Sequence, residues 1–406
     1  MENENRLKHL LSYIFVAILF LGFIGNNSFG ELSILSEYLQ TESTSVWENS
    51  QDDAKEKTNS LTNLESQYTD KMPEKKELIE LNGRIAKNLQ MRGLYSDIGI
   101  YITDENYIIS CYSQASTDYE YEQLVDFYQF LKDNNIKFLY VNQPVKYLND
   151  DILEKNFGMQ SFSNQNADKL VSRLRQADIP VLDLRDNITS ENLNSLEMFY
   201  RTDHHWTTKA GLWAAQRIAQ AMNENCGYQI DTDLFDISNF NVKHWKNCWL
   251  GEQGRKVARS YVGLDDFYEI RPNFPTDYVF KNKDGTTKKG SFDGFIDDSR
   301  YNLTTDVYKN GSWHFSYQKP NCVNNNVTNG KVLMLADSYG NATEPFLSLG
   351  IHEIHTIDRR TDIKKSLRER ILNNQYDTVI ICYSQIMIGA HANPNSSNYP
   401  MFVLDQ

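Results

Sequence analysis

Cysteine is scarce in this 406-residue chain: Cys111, Cys226, Cys248, Cys322 and Cys382 are all there is, with no CxxC pair and no zinc-ligand spacing. A disulfide-built scaffold is thereby excluded, and no metal site can be assigned from cysteine. If the protein is exported, Cys226 and Cys248 form a conceivable bridge, whereas Cys382, inside an apolar run, reads as a buried free thiol. Positive charge is also short. Lys and Arg total 41 against 54 Asp and Glu, a formal net charge of −13. Such a surface repels nucleic acid and an anionic membrane face, so a neutral partner such as a glycan fits better.

Long apolar runs are missing too, except at one place. Arg6 and Lys8 precede a run from Leu10 to Ile24 broken by Ser12, the layout of a secretory n-region and h-region. The run falls short of the about 20 residues a spanning helix needs, although a tilted anchor stays open. Ser28-Phe29-Gly30 offers a small-x-small cleavage pattern. Residues 1–30 are therefore read as a signal peptide or membrane anchor. The protein is expected outside the cytoplasm, either secreted or membrane-anchored.

Gln40 to Pro73 is dominated by polar side chains with almost no apolar periodicity, and residues 31–73 read as a linker or stalk. The folded domain, 74–406, opens with a helical stripe of Leu78, Leu81, Ile85 and Leu89 that Gly93 is placed to stop. Ile98–Thr103 and Tyr107–Cys111 suggest a hairpin. Helix and strand patterns then alternate. Leu124, Phe127, Tyr128 and Leu131 share a helix face before the strand Phe138–Val141, and a helix with Leu170 and Leu174 precedes Ile179–Leu184. Thr207 or Thr208 can cap a helix whose Leu212, Ala215, Ala219 and Met222 face inward. The rhythm resumes with Val332–Ala336, Glu353–Ile357, a helix through Ile363, Leu367 and Ile371, and the run Val379–Cys382. Continuous apolar strands alternating with helices predict an α/β fold with a mostly parallel sheet covered on both faces.

Residues 226–330 break that rhythm and read as an inserted β-rich region, with Asp284-Gly285 as a hairpin turn after Tyr278-Val279-Phe280. Trp245, Trp249, Phe267, Tyr268 and Trp313 are either a substrate platform there or the region's own small core.

The chemistry concentrates in two motifs: Tyr200-Arg201-Thr202-Asp203-His204-His205-Trp206, and Val332 to Ala336 running into Asp337-Ser338-Tyr339-Gly340. The second places Ser338 at the carboxyl end of a strand, where open α/β sheets bind ligands, with turn amides and a helix amino terminus near a developing oxyanion. By itself it reads more simply as a turn and cap than as a nucleophile. In the first, Asp203 and His205 project to one side of an extended segment while His204 points away. A serine hydroxyl becomes a nucleophile when an imidazole takes its proton and a carboxylate fixes the tautomer. Ser338, His205 and Asp203 are the candidate set. Asp203, His204 and His205 with His352 and His355 make a poor metal hydrolase, because His352 and His355 fall on opposite faces of a strand and no glutamate is suitably placed. Neither a metal nor a cofactor is expected.

Tyr200 to Trp206 resembles the Asp-His-His-Trp motif of the bacterial DHHW proteins, relatives of the alginate O-acetyltransferase branch of the SGNH hydrolase superfamily. The likeness covers about Glu74 to Ser384 and includes Ala336-Asp337-Ser338-Tyr339 and Ile357-Asp358-Arg359-Arg360. It implies a three-layer α/β/α SGNH hydrolase-like fold, with Ser338 as nucleophile, His205 as general base and Asp203 as its orienter. The implied activity is O-acetyl transfer to, or acetyl ester hydrolysis on, a cell-surface or secreted polysaccharide. A membrane O-acyltransferase partner would donate the acetyl group. Ala336 departs from the usual Gly-Asp-Ser, and a methyl there would narrow the approach to the turn. Ser338 N–H is an oxyanion donor by geometry, while Tyr339, Asn341, Arg201 and Ser384 are neighbours of unassigned role. A non-catalytic glycan-binding or assembly protein on the same scaffold is the alternative that Ala336 and the aromatic region motivate.

Overall fold

The structure is a computed structural model that describes residues 75–95, 99–282, 284–296, 307–308, 321–363 and 366–404. The signal peptide or anchor at 1–30, the linker at 31–73, and Trp313 lie outside the described residues. Among the described residues no helix is long and apolar enough to cross a membrane. The chain divides into Met1–Leu78 and Ile79–Gln406, and the second unit is the folded domain.

Helix α1 (Lys75–Asn88) is followed by a small antiparallel sheet of β1 (Gly93–Tyr95), β2 (Ile100–Ile102) and β3 (Ile108–Ser110). The apolar stripe on α1 is not its buried face. Leu81, Ile85 and Leu89 stay exposed, and Glu80, Gly83 and Ala86 turn inward. A Cβ on Gly83 would lie 2.3 Å from that of Ala258, so the helix docks through its smallest residue. It ends before Gly93, with Gln90 taking the left-handed turn.

The main layer follows. In chain order it comprises α2 (Asp118–Asp133), β4 (Lys137–Gln143), α3 (Asp151–Phe157), α4 (Ser163–Gln176), β5 (Val181–Asp183), α5 (Leu184–Ser190) and α6 (Thr208–Cys226). Next come β6 (Phe240–Trp249), α7 (Glu252–Val257), α8 (Arg259–Val262), β7 (Asp265–Pro272), β8 (Tyr278–Lys281), β9 (Thr287–Gly290) and β10 (Asn321–Asn324). The chain closes with β11 (Lys331–Ala336), α9 (Gly340–Leu347), β12 (Glu353–Ile357), α10 (Leu367–Asn374) and β13 (Thr378–Ser384). Eight strands form one sheet in the order β5-β4-β13-β11-β12-β10-β8-β9. The first five are mutually parallel, and the last three extend the edge antiparallel.

Strand alternation explains the layers. Leu139, Val141, Val332, Met334, Ile380 and Cys382 face α6 and α9 in one core. Phe138, Tyr140, Leu333, Leu335, Val379 and Ile381 face α2, α4 and α10 in the other. With both faces covered, these strands read as unbroken apolar runs. Truncating a fully buried one such as Leu333 to Ala would cost ~2–5 kcal/mol. Thr207 caps α6, its hydroxyl accepting from Ala210 N–H.

The 226–330 region does not stand apart from the sheet. Its strands β8 and β9, joined through Gly285 at φ +84°, continue the sheet edge with β10. Among its described residues, β6 and β7 form a separate two-stranded ribbon. Trp249 and Phe267 are fully buried, and Trp245 and Tyr268 are partly buried. His244 and Lys209 both lie against the Tyr268 ring, so these aromatics serve packing rather than an open platform. All five cysteines are free: Cys226 and Cys248 sit in different cores and make no bridge. Cys382 is buried, and its sulfur accepts from the Gln143 amide.

Candidate active site

β11 delivers Ser338 in a turn at its carboxyl end, and α9 begins two residues later. The Asp337 carboxylate accepts from Tyr339 N–H at 3.0 Å and from Ser384 N–H and Oγ at 2.8 and 2.6 Å. The turn is thus tied to the end of neighbouring β13. The other loop closes where Phe199 and Trp206 bridge in antiparallel fashion, with Tyr200 N–H donating to the His205 carbonyl. Residues 201–205 are consequently a tight loop, not the extended segment expected.

The loop and the turn, 133 residues apart, are joined twice. Trp206 Nε1 donates to the Tyr339 carbonyl at 3.0 Å, and Tyr339 OH donates to the His204 carbonyl at 2.7 Å. Burial holds the Tyr339 hydroxyl far above its ordinary range, so it remains a donor. Both rings are fully buried.

Within this frame Asp203 Oδ1 lies 2.6 Å from His205 Nδ1, and His205 Nε2 lies 2.7 Å from Ser338 Oγ. Asp203 also accepts His205 N–H at 3.0 Å, which fixes backbone and ring together. Asp203 and His205 are buried while Ser338 is half-buried. A carboxylate bound to Nδ1–H leaves Nε2 free to take a proton. The three predicted residues are therefore brought into one hydrogen-bonded line.

His204 does not point away. Its ring packs 3.9 Å from that of His205, and its Nδ1 is 3.6 Å from Asp203. Burial, with the neighbouring His205 charge, depresses it to about 4, against the pull of Asp203. Its imidazole is neutral at physiological pH.

Three supports were not legible in the motif. Glu252 N–H, at the start of α7, donates to Asp203 Oδ2 at 2.7 Å, so the acid meets a helix amino end. Gly251 packs against the same loop: a Cβ there would lie 2.5 Å from Asp203 Cβ and 2.5 Å from the Thr202 carbonyl oxygen. Asp265, the first residue of β7, accepts Arg201 N–H and Thr202 N–H, each at 2.9 Å. Burial raises its carboxyl, opposed by those Thr202 and Arg201 donors. Each lies about 50 or 60 residues beyond the motif, and no local pattern marks it.

Most of the remaining neighbours have other work. Tyr339 OH serves His204, Ser384 serves Asp337, and Arg201 reaches the Leu264 carbonyl at 2.5 Å. Asn341 is buried with its Oδ1 unpaired among the described residues. Arg360 is held by Asp358 through two bonds of 2.9 and 2.7 Å. Ala336 is fully buried, and a Cβ built on Gly340 would come within 2.7 Å of its methyl. The methyl therefore fills core beneath α9 and does not narrow the approach to the turn. His352 binds the Asn324 and Val327 carbonyls, and His355 binds Glu353 and Tyr376, toward the amino ends of the strands. A cleft of about 500 Å³ lies between α4 and α5, and its arginines pair with Asp168, Asp183 and Asp186. None of the three candidate residues lines it.

A mostly parallel sheet covered on both faces, with this relay at the strand ends, defines an SGNH hydrolase-like α/β/α domain. Residues 101–242 match the family described as the SGNH hydrolase-like domain of acetyltransferase AlgX, in agreement with the resemblance drawn from Tyr200–Trp206. That segment holds Asp203 and His205 but not Ser338. No curated protein matches the chain in sequence. Bacillus cereus PatB1, solved with a sulfonyl adduct, is similar in fold at TM-score 0.59 and 18% identity, over 76% of this chain and 98% of that one. A DHHW family protein from Eubacterium siraeum is similar at TM-score 0.55 and 15% identity, over 74% and 93% of the two chains.

Proposed function

We propose that the protein is an exported acyl-handling serine enzyme, an O-acetyltransferase or acetylesterase acting on a cell-surface or secreted polysaccharide. The observation that carries this is the unbroken line from Asp203 through His205 to Ser338 Oγ, at 2.6 and 2.7 Å. His205 Nε2 takes the Ser338 proton as Oγ attacks the acyl carbonyl, and Asp203 stabilises the imidazolium. The tetrahedral intermediate collapses when the leaving oxygen takes that proton, which leaves an acyl-serine. A sugar hydroxyl or water then gives its proton to His205 and attacks the ester, regenerating Ser338 and releasing the acylated or free product. Export, supported by Arg6, Lys8 and the Leu10–Ile24 run, separates the site from cytosolic acyl donors. A membrane O-acyltransferase partner supplying acetyl is consistent with that separation.

The relative captured as a sulfonyl adduct suggests the test. A sulfonyl fluoride or fluorophosphonate should label wild-type protein at Ser338, and aryl acetate turnover should disappear in Ser338→Ala. Folded wild-type protein that neither labels nor turns over would refute the proposal. The non-catalytic reading drew on Ala336 and the aromatic region. Ala336 is packed beneath Gly340, and Trp249 and Phe267 are core residues, so neither favours it.

A further inference from the structure

Helix α1 carries an apolar line on its outer side. Leu81, Ile85 and Leu89, spaced four residues apart on one face, are 52%, 49% and 66% exposed, and Met91 in the following turn is 46% exposed. Single exposed apolar side chains are ordinary, whereas three in line along a helix make a patch. The helix does not lack a fixed seat. On its other side the Glu80 carboxylate accepts Ser260 N–H at 3.1 Å and Tyr308 OH at 2.5 Å, and Ser260 Oγ donates to the Glu80 carbonyl at 3.0 Å. Ala86 shares a core with Val257 and Tyr261, and the Tyr261 hydroxyl donates to the Met91 carbonyl at 2.7 Å. Bonded to α8 at both ends, α1 cannot roll its apolar line into the core without breaking these contacts.

The charges along this line share one sign. From Leu81 to Arg92 the chain holds Arg84, Lys87 and Arg92 and no acidic residue, in a protein whose formal net charge is −13. All three are exposed. Lys87 Nζ reaches the Ser260 carbonyl at 3.4 Å, and Arg92 pairs with the exposed Asp104. We propose that this face of α1 lies on an anionic lipid bilayer, with Leu81, Ile85, Leu89 and Met91 entering the boundary between headgroups and acyl chains and the three cations meeting lipid phosphates. An apolar helix face flanked by Lys and Arg suits that interface, because the long basic stems cover apolar surface while their heads stay in water. The acidic chain as a whole repels such a surface, and α1 reverses that sign locally. In sequence α1 follows the Leu10–Ile24 run and the polar linker, so an anchor in that run would raise the local concentration of the helix at the bilayer. Nothing in this proposal depends on the acyl-serine chemistry.

The experiment places a reporter in the line. Full-length Leu89→Trp is mixed with vesicles of phosphatidylcholine brominated in its acyl chains, with and without phosphatidylglycerol, and its emission is compared with that of wild type, whose own tryptophans give the baseline. On vesicles containing phosphatidylglycerol the added emission should shift to the blue and be quenched about twofold or more. High salt should relieve the quenching, because it screens charges at the surface. Arg84→Gln with Lys87→Gln in the same background should lose about half of the quenching or more, and so should Leu81→Gln with Ile85→Gln. These positions are exposed, so melting curves and Ser338 labelling should match wild type, and Met91→Trp stands in should Leu89→Trp not fold. Membrane association through the amino terminus alone would float the protein with the vesicles and leave the added emission unquenched, which would overturn the proposal. So would equal quenching with and without phosphatidylglycerol, since the cations would then contribute nothing. A blue shift that grows with protein concentration in the absence of vesicles, together with a doubled mass in analytical ultracentrifugation, would assign the face to a second copy instead. Wild-type protein that never labels at Ser338, while the quenching holds, would refute the acyl-serine proposal and leave this one standing.

Discussion

Trp206 and Tyr339 hold the two halves of the site together, the indole N–H on the Tyr339 carbonyl and the Tyr339 hydroxyl on the His204 carbonyl two residues before Trp206. This gives the last letter of the Asp-His-His-Trp motif a physical role: its ring fills the core and its one donor ties the loop that carries His205 to the turn that carries Ser338. Trp206→Phe keeps most of the apolar body and removes the donor, and Tyr339→Phe removes only the hydroxyl. Each should cost ~1–3 kcal/mol in urea denaturation, because a buried carbonyl loses its partner. Labelling of Ser338 should slow about tenfold or more. Wild-type labelling rates in both variants would show that the stitch does not set the geometry.

Gly251 is required by proximity, since its φ of −67° is open to any residue. Alanine there would put a methyl 2.5 Å from Asp203 Cβ and from the Thr202 carbonyl oxygen, and both belong to a loop held by Asp265 and Trp206. The loop must shift, which moves Asp203 off His205 and off the Glu252 N–H. Gly251→Ala should lose about 10²-fold in turnover, since displacements of about 1 Å carry penalties of that size. It should also lose ~1–3 kcal/mol of stability as an overpacked site. Activity within a factor of three of wild type would mean that the loop tolerates the shift.

His204 links the site to acid stability. Its value in the folded protein, about 4, lies below the ordinary 6.5, so between these limits the unfolded chain binds more protons than the folded one. Stability is then complete above about pH 6.5 and is lost progressively as the pH falls toward 4. The side chain keeps 31% exposure, so solvent screening leaves less than the full linkage. Melting temperature should drop more steeply from pH 7 to 4.5 in wild type than in His204→Asn. Parallel curves would contradict a depressed His204.

Much of the fold was legible because the parallel core announces itself locally. Val332–Ala336 and Val379–Cys382 are continuous apolar runs since both sheet faces are covered, and Ser338 follows one of them directly. Thr207 marks its helix because a cap is a local hydrogen bond. The missing parts depend on long-range contacts. The α1 stripe misleads because Gly83 docks the helix by close approach, which a periodicity of apolar residues does not register. β8 to β10 add antiparallel edge strands in place of the parallel strand–helix units, so the helix–strand rhythm stops although the sheet continues. Likewise Glu252 and Asp265 support Asp203 and its loop through backbone amides, one as donor and one as acceptor. His204 stays beside His205 because the loop turns where an extended segment was expected.

Ala336 bears on how the nucleophile turn is built. The superfamily's usual glycine before Asp-Ser is replaced here by a methyl that lies under Gly340, at the start of α9. A Cβ on Gly340 would come 2.7 Å from Ala336 Cβ and 3.5 Å from Met334 Cε, so the notch holds one methyl and not two. Ala336→Gly should cost ~1–2 kcal/mol, combining added chain entropy in a strand with the loss of a buried methyl. Its effect on Ser338 labelling should stay within about twofold, because the methyl faces the core. Gly340→Ala should cost ~1–3 kcal/mol by overpacking and slow labelling by displacing the turn. The double variant moves the methyl across the notch and should recover at least ~1 kcal/mol relative to the sum of the single losses, a coupling that a double-mutant cycle in urea measures directly. Faster labelling in Ala336→Gly, or strict additivity of the pair, would mean that the methyl guards the approach to Ser338 after all.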